Sequence, residues 1–421
     1  LDRSSAASDV YKRQVSQLSP LQQGWKNTMM NAYGTPALGL VRGEGCVVED
    51  ENGKEYLDLL SGIAVNSLGH QHPAIIEAVT QQLHTLGHTS NFFVHQPEVQ
   101  LAERLVEAFK SDQPTRVFFC NSGAEANEIA FKLSRLTGRR RILTHLDGFH
   151  GRTMGSLALT GQEKKRAPFE PMPPGVEYFP FNDFDALQQL VEKDPHNTAA
   201  VMIEPIMGEA GVMVPDADYL AKIRELTQRY GILMICDEVQ TGVGRTGDMF
   251  CSRAQGVIPD VVTLAKGLAG GFPIGAVLAT GRAADFFQPG SHGTTFGGNP
   301  YSCAAANAVL DTIESAHLYE HVRAMGERFR GGLADIHHSL IREIRGRGLL
   351  IGIELTEAVG PYVEQTAREA GFIINAARPQ VLRIAPPLVI SAEQIDAAVA
   401  ALPGILESAQ TLYTARCQAC K

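Results

Sequence analysis

The sequence predicts an α/β fold carrying a second, smaller α+β domain, and two features of the chain say so. Short apolar runs alternate with helical segments through the middle of the chain, and beyond about residue 315 the pattern changes. The central runs are apolar on both faces, as a parallel sheet covered by helices on each side requires. A length of 421 residues exceeds one ordinary core, so two domains with smaller arms are expected.

From Val41 to His70 the chain reads as short strands joined by turns: Val47 and Val48, the turn Glu51-Asn52-Gly53-Lys54, then Tyr56 to Leu60. Pro73 occupies a first helical position, and Ile75, Ile76, Val79 and Leu83 follow at helical spacing. A second helix covers Pro97 to Phe109. Strands are then expected at Arg116 to Cys120, Arg141 to Leu143, Ala199 to Ile203, Gly231 to Cys236, Val261 to Leu264 and Gly275 to Ala279. Helices at Gly123 to Leu136 and Tyr219 to Tyr230 lie between them. After a long helix from Pro300 to Ser315, the strand Leu349 to Leu355, a helix near Tyr362 to Ala370 and the strand Val381 to Ile384 give the separate α+β pattern.

Hydrophobic residues make up 44% and charged residues 20%, the balance of a globular protein, with a net charge of −9. That charge excludes nucleic acid and anionic membrane as the main partner, since both would repel it. No window approaches the roughly 18 apolar residues of a membrane span. Seven cysteines form no disulfide framework. Cys120, Cys236 and Cys303 read as buried thiols of a reducing compartment. The lone C-x-x-C, Cys417 to Cys420, faces no second pair, and no metal site is expected. Residues 1–14 read as a non-native leader without a signal-peptide core, and the tail from Thr411 stays unplaced. The default location is the cytoplasm.

Ligands of α/β sheets collect at the carboxyl ends of the strands, and four polar signals stand at such ends. Asn121-Ser122-Gly123-Ala124-Glu125-Ala126-Asn127-Glu128 opens a helix with small residues, a seat for a phosphate that equally reads as simple capping. Asp237-Glu238-Val239-Gln240 follows an apolar run. A carboxylate there needs a positive partner; a protonated pyridine nitrogen is one, and a metal ligand is the competing reading. Lys266 closes the run Val261 to Ala265, where desolvation lowers its pKa and frees the amine as a nucleophile; a lone lysine at a strand end is usually an edge residue, and its place downstream of Asp237 is what favours the functional reading. Phe149-His150-Gly151-Arg152-Thr153 offers a ring to stack and a cation to grip a carboxylate, or core packing and a surface ion pair. Gly242-Val243-Gly244-Arg245-Thr246-Gly247 matches a dinucleotide fingerprint, but it does not follow its strand at once. No acidic residue ends a strand about twenty positions on either, so a nicotinamide dehydrogenase is excluded.

Taken together, Asn121 to Glu128, Phe149 to Thr153, Asp237 to Gly247, Ala265 to Ala276 and Gly293 to Asn299 resemble the class III aminotransferases of fold type I. The likeness runs from about Trp25 to Ser408. It implies a large domain over residues 76–315, with a mostly parallel seven-stranded sheet between helices. The smaller α+β domain would be built from residues 15–75 and 316–410, leaving 411–421 as the tail. The implied cofactor is pyridoxal 5'-phosphate, covalently anchored on Lys266, which also shuttles the substrate proton. Asp237 would pair with the pyridinium nitrogen, Phe149 would stack on the ring, and Gln240 would lie near its phenolic oxygen, with Glu238 and Val239 in the same segment. Gly123 and Ala124 would bind the phosphate, joined by Thr295 from a second subunit, so a homodimer with shared active sites is implied.

The resemblance also implies small amino-acid and 2-oxo-acid substrates. Ser61 to Asn66, His88 to Asn91 and Leu382 to Leu388 bring the likeness nearest to the members that act on N2-acetylornithine. Gly62 and Ala64 stand where members acting on free ornithine tend to carry a gripping tyrosine. Arg152, with Thr294 nearby, would take the α-carboxylate of acetylornithine. Arg383 would take that of glutamate or 2-oxoglutarate, with Glu209 covering it in the other half-reaction. Ala210 replaces a glycine common in relatives. Enzymes acting on succinylornithine, 4-aminobutyrate or ornithine are the alternatives, then an aminomutase or decarboxylase of the same fold. A binding-only role does not need Lys266, Asp237 and both arginines together.

Overall fold

The computed structural model describes residues 18–419. Its central sheet has seven strands in the order Thr115–Cys120, Gly275–Thr280, Val261–Leu264, Leu233–Asp237, Thr198–Ile203, Arg141–His145 and Val176–Phe179. Gly275–Thr280 runs antiparallel to both of its neighbours, and the remaining pairings are parallel. The expected mostly parallel seven-stranded sheet is therefore present. Its five inner strands from Gly275–Thr280 to Arg141–His145 are buried at every position, which is why they read as continuous runs without alternation.

The edge strand Val176–Phe179 has no counterpart in the sequence reading. Only Phe179 is fully covered and the other three residues are half-buried, so no apolar run marks the strand. Gly231, expected to open a strand, instead ends the helix Tyr219–Tyr230 in a left-handed conformation at φ 58°, and the strand starts at Leu233. Arg141 begins its strand as a buried cation. Glu177 grips it through Nε and Nη2 at 2.6 and 3.0 Å, while Nη1 donates to Thr198 Oγ1 at 2.9 Å and Asp194 O at 3.0 Å. A charge so buried is tolerated because its donors are satisfied.

Two further sheets stand apart from the central one. Leu40–Glu44, Val47–Asp50 and Glu55–Asp58 form an antiparallel meander, and Phe372–Ile373 joins its edge in parallel, with Phe372 opposite Leu57. Lys54 Nζ spans the same junction to the carbonyls of Arg368 and Glu369 at 2.9 and 2.8 Å. The other sheet pairs Ile341–Arg347, Leu350–Leu355, Val381–Ile384 and Asn375–Arg378 antiparallel throughout. The helix Ala392–Ala419 continues through residues 411–419, the stretch that the sequence left unplaced.

The expected leader at residues 1–14 and Cys420 lie outside the described residues. Among the described residues no helix is long and apolar enough to cross a membrane, and no group of three or more His, Cys, Asp or Glu is placed to hold a metal ion. Gly242–Gly247 opens no helix. It folds as turns, with Gly247 N on Gly244 O at 2.9 Å, and Arg245 Nη1 reaches Leu349 O at 3.1 Å.

Candidate active site

The carboxyl ends of the central strands converge on a cavity of about 360 Å³ lined by Gly123, Ala124, Phe149, Arg152, Asp237, Val239, Gln240 and Lys266. A wider cavity of about 920 Å³ shares Phe149, Arg152, Gln240 and Lys266 and adds Tyr33, Ile63, Lys165 and Glu209. The four separate sequence signals are thus neighbours in space.

At the deep end, Asp237 terminates its strand with 4% of its surface exposed. Its Oδ2 accepts from Asn127 Nδ2 and from His150 Nδ1, both at 2.7 Å, and Oδ1 accepts from the Val239 amide at 3.0 Å. Thr263 donates to Asn127 Oδ1 at 2.8 Å, and Thr144 Oγ1 lies 3.1 Å from His150 Nε2. Burial works to lower the pKa of His150, but the bond and charge of Asp237, with Glu204 beyond, outweigh it and hold the imidazole above its ordinary value. The carboxylate is fixed in orientation by two side chains, themselves held from behind.

Lys266 follows the strand Val261–Leu264 and is half-buried, its backbone in the left-handed region at φ 41°. A lysine held there stores roughly 1–3 kcal/mol of strain, a feature that clusters at functional sites. Burial first, then the nearby Arg383 charge, pull its pKa down to about 8, against the opposing carboxylates of Asp237, Glu204 and Glu209. Roughly a tenth of the amine is therefore neutral at pH 7, on the order of a hundred times more than for an ordinary lysine, and able to attack an aldehyde.

At the other end, the helix Gly123–Leu136 points its N-terminus into the cavity. Ser122 Oγ caps the Glu125 amide at 3.2 Å, and Glu125 Oε2 is taken up by Asn121. The first two amides, of Gly123 and Ala124, have no intrahelical partner and face an anion site by construction. A Cβ on Gly123 would meet Val239 Cγ1 at 2.6 Å, so only glycine lets helix and loop close together.

Pyridoxal phosphate has an anion at one end, a ring nitrogen that carries a proton at the other and an aldehyde between. The anion seat, the anchored carboxylate and the depressed lysine match these three groups. Phe149 and Val239 supply apolar lining for the ring.

Arg383 is 2% exposed. Its Nη1 contacts Glu209 Oε2 at 3.2 Å and Gln240 Oε1 at 3.4 Å, while Nη2 donates to Asn375 Oδ1 at 2.8 Å. Burial tends to raise the Glu209 carboxyl, but Arg383 and then Lys165 outweigh it and hold it below its ordinary value. Arg152 is exposed in the outer cavity with its guanidinium 5.8 Å from the Phe149 ring centroid. Among the described residues it has no ion-pair partner.

Three expected site residues do not line the cavities of their own chain, and of these Thr295 is expected to act from a second subunit. Glu238 is buried and lines neither cavity. Cys251 N, Ser252 N and Oγ, and Thr241 Oγ1 all donate to it, so its carboxylate is consumed in bracing the loop. Thr294 accepts from Asn121 Nδ2 at 3.3 Å and also lines neither cavity. Thr295 is exposed and outside its own chain's site.

Asn127, His150 and Glu204 belong to the site without having been singled out. Glu204 follows the all-buried strand Thr198–Ile203, the same signal that marked Asp237, and accepts from Phe149 N and Gly208 N at 2.9 and 3.1 Å.

The family model described as aminotransferase class-III matches residues 28–406. Among curated proteins, the acetylornithine aminotransferase of Mycobacterium tuberculosis is 57% identical over 92% of this chain and 96% of its own length. Among solved structures, an ornithine aminotransferase from Toxoplasma gondii with partially occupied PLP superposes with a TM-score of 0.87 at 32% identity, covering 97% of this chain and 98% of that one. A PLP-bound amine transaminase from an uncultivated Pseudomonas species gives 0.84 at 30% identity, over 91% of this chain and 96% of its own. With a match that takes in both the anchored carboxylate and the depressed lysine, the chain belongs to the class III aminotransferases, enzymes of fold type I that work with pyridoxal phosphate.

Proposed function

We propose that this aminotransferase moves the terminal amino group of N2-acetyl-L-ornithine to 2-oxoglutarate, giving N-acetyl-L-glutamate 5-semialdehyde and L-glutamate, a cytoplasmic step of arginine biosynthesis. The observation that carries this reading is the pairing state of the two arginines. Arg383 lies covered by Glu209 beside Lys266, while Arg152 stands open in the outer cavity. A terminal amine brings no carboxylate next to its reacting carbon, so a covered Arg383 suits it, and its distant α-carboxylate can reach Arg152. A 2-amino or 2-oxo acid does bring one, and Arg383 must then be uncovered. One pocket can serve both by moving one acidic side chain. The relative named above carries the same substrate in its name.

Bound pyridoxal phosphate supplies an electron sink for the negative charge left on the carbon that loses a proton. The side chains do the rest. Lys266 anchors the cofactor and moves the proton at that carbon. Asp237, held by Asn127 and His150, keeps the ring nitrogen protonated. Gly123 and Ala124 would hold the phosphate, Phe149 would cover the ring, Gln240 would face the phenolic oxygen, and the arginines would set which carbon faces Lys266.

Arg152→Ala is expected to raise the KM for acetylornithine at least about 10-fold while glutamate changes little, and Arg383→Ala to do the reverse. Single half-reactions with acetylornithine, succinylornithine, ornithine, 4-aminobutyrate and glutamate read this directly. Equal losses in both half-reactions, or ornithine outrunning acetylornithine in the wild type, would refute the assignment.

The same reading makes the active enzyme a homodimer in which Thr295 completes the partner's phosphate site. Its support is an exposed apolar face: Phe92 at 90%, Phe93 at 68% and Phe296 at 58% exposure lie on adjoining segments joined through Asn91 Nδ2 to Gly297 O at 3.2 Å. So apolar a face marks an interaction surface. Sedimentation is expected to show a dimer at micromolar concentration, with Phe93→Glu lowering its stability; a monomeric active enzyme excludes the shared site.

A further inference from the structure

We propose that Lys165 is a positioning residue that keeps Glu209 paired when a substrate carboxylate claims Arg383, so that the gating carboxylate gives up one cation without losing the other. This rests on the dual-substrate reading above and adds a residue to it.

The charge run Lys164-Lys165-Arg166 divides in the fold. Lys164 is exposed, and Arg166 lies over the Tyr178 ring, 4.2 Å from its centroid. Lys165 alone turns into the outer cavity, with Nζ 4.7 Å from the Phe149 ring centroid and 3.1 Å from Glu209 Oε1. Glu209 therefore already bridges two cations, Oε1 on Lys165 and Oε2 on Arg383 at 3.2 Å. The partners differ in depth. The Arg383 side chain is 2% exposed against 23% for Lys165, with Glu209 at 30%.

Arg383 is also incompletely satisfied, its buried Nε having no partner. An incoming carboxylate that binds the guanidinium in a fork gains two parallel bonds and displaces Glu209. The displaced carboxylate cannot leave with its loop. Met207 and Met213 exchange two backbone bonds of 3.0 Å, closing residues 207–213 at both ends. Glu209 must thus give up Arg383 by side-chain rotation alone, in a half-buried setting where an unpaired charge is costly. Lys165 removes that cost because its bond to Glu209 exists before and after the exchange.

The test uses holoenzyme and glutarate, a dicarboxylate with no carbonyl to react, alongside glutamate and acetylornithine. Lys165→Met is expected to weaken glutarate inhibition and raise the glutamate KM roughly 5- to 10-fold, with a much smaller change for acetylornithine, and Lys165→Arg to restore both. In a Glu209→Gln background the Lys165→Met effect should vanish, because the lysine acts only through that carboxylate. Persistence of the effect without the Glu209 charge would mean direct substrate binding and overturns the proposal. So does an unchanged glutarate constant in Lys165→Met, or a rise confined to acetylornithine. Should Glu209→Gln alone leave glutarate binding untouched, the gate itself fails and the proposal with it. A wild type inactive on acetylornithine but sensitive to glutarate would instead refute only the choice of amine.

Discussion

Lys266→Ala is expected to lower turnover with every amino donor by about 10⁴-fold or more, because it removes the covalent anchor and the proton carrier together. The fold should survive. Lys266 holds a strained left-handed backbone position, and among the described residues its amine makes no ion pair. Circular dichroism and thermal unfolding should be close to wild type while activity is lost. The wild-type lysine also gives a readout independent of turnover. Burial and Arg383 press its pKa to about 8, so covalent capture of pyridoxal phosphate by the cofactor-free protein should rise with pH through that value. An ordinary lysine would titrate more than two units higher, near 10.4. Borohydride reduction followed by peptide mapping should place the label on Lys266. A label elsewhere, or a capture profile still climbing at pH 10, would sink the assignment.

Asp237→Asn is expected to cost about 10³-fold in turnover, the scale of removing the partner of a buried charge. It also loosens the cofactor, so the variant should release it on gel filtration where the wild type retains it. The substitution is close in size but wrong in polarity. Asp237 receives Asn127 and His150 on one oxygen and the Val239 amide on the other. Whichever way an asparagine is turned, its NH₂ faces a donor.

A second consequence is a change in the pH dependence of stability. The raised pKa of His150 means that its charged form contributes stability fully below the ordinary histidine value, and that this is lost as pH rises through the raised one. Asp237→Asn should flatten that dependence in denaturant unfolding. Full activity in the variant, or an unaltered pH profile, would show that the carboxylate is not the fixed counter-charge described.

The parts of this molecule that could be read in the sequence are those where one residue contradicts its surroundings. Lys266 and Asp237 each put a charge at the end of a run buried at every position, and that contradiction needs only local sequence to be visible. Glu204 has the same signature, a carboxylate at the end of the all-buried strand Thr198–Ile203, but stands in no motif of the resemblance. Asn127 and His150 were hidden for another reason. Their purpose is the orientation of Asp237, a contact across 110 and 87 positions of chain that no spacing rule reports. Lys165 was illegible in principle, since three cations in a row give no sign of which one turns inward. Glu238 shows the converse. It stands in a cofactor-binding string, but its carboxylate is spent on the amides of Cys251 and Ser252. The edge strand Val176–Phe179 escaped because half-burial breaks the apolar run that betrayed its neighbours.

The parallel pairing of Phe372–Ile373 with Glu55–Asp58 bears on how the protein is made. Lys54 meets the Glu369 carbonyl across 315 positions, so the N-terminal meander acquires its last strand only after most of the chain has left the ribosome. At roughly 5–20 residues per second the wait is on the order of tens of seconds. Throughout it the Glu55–Asp58 edge offers unpaired amides and carbonyls to any passing strand. The central sheet, by contrast, draws all its strands from between Thr115 and Thr280, so its pairing does not wait for either end of the chain. Slowing translation beyond Thr280 should therefore prolong the exposure of that early edge and increase the insoluble share of the newly made chain.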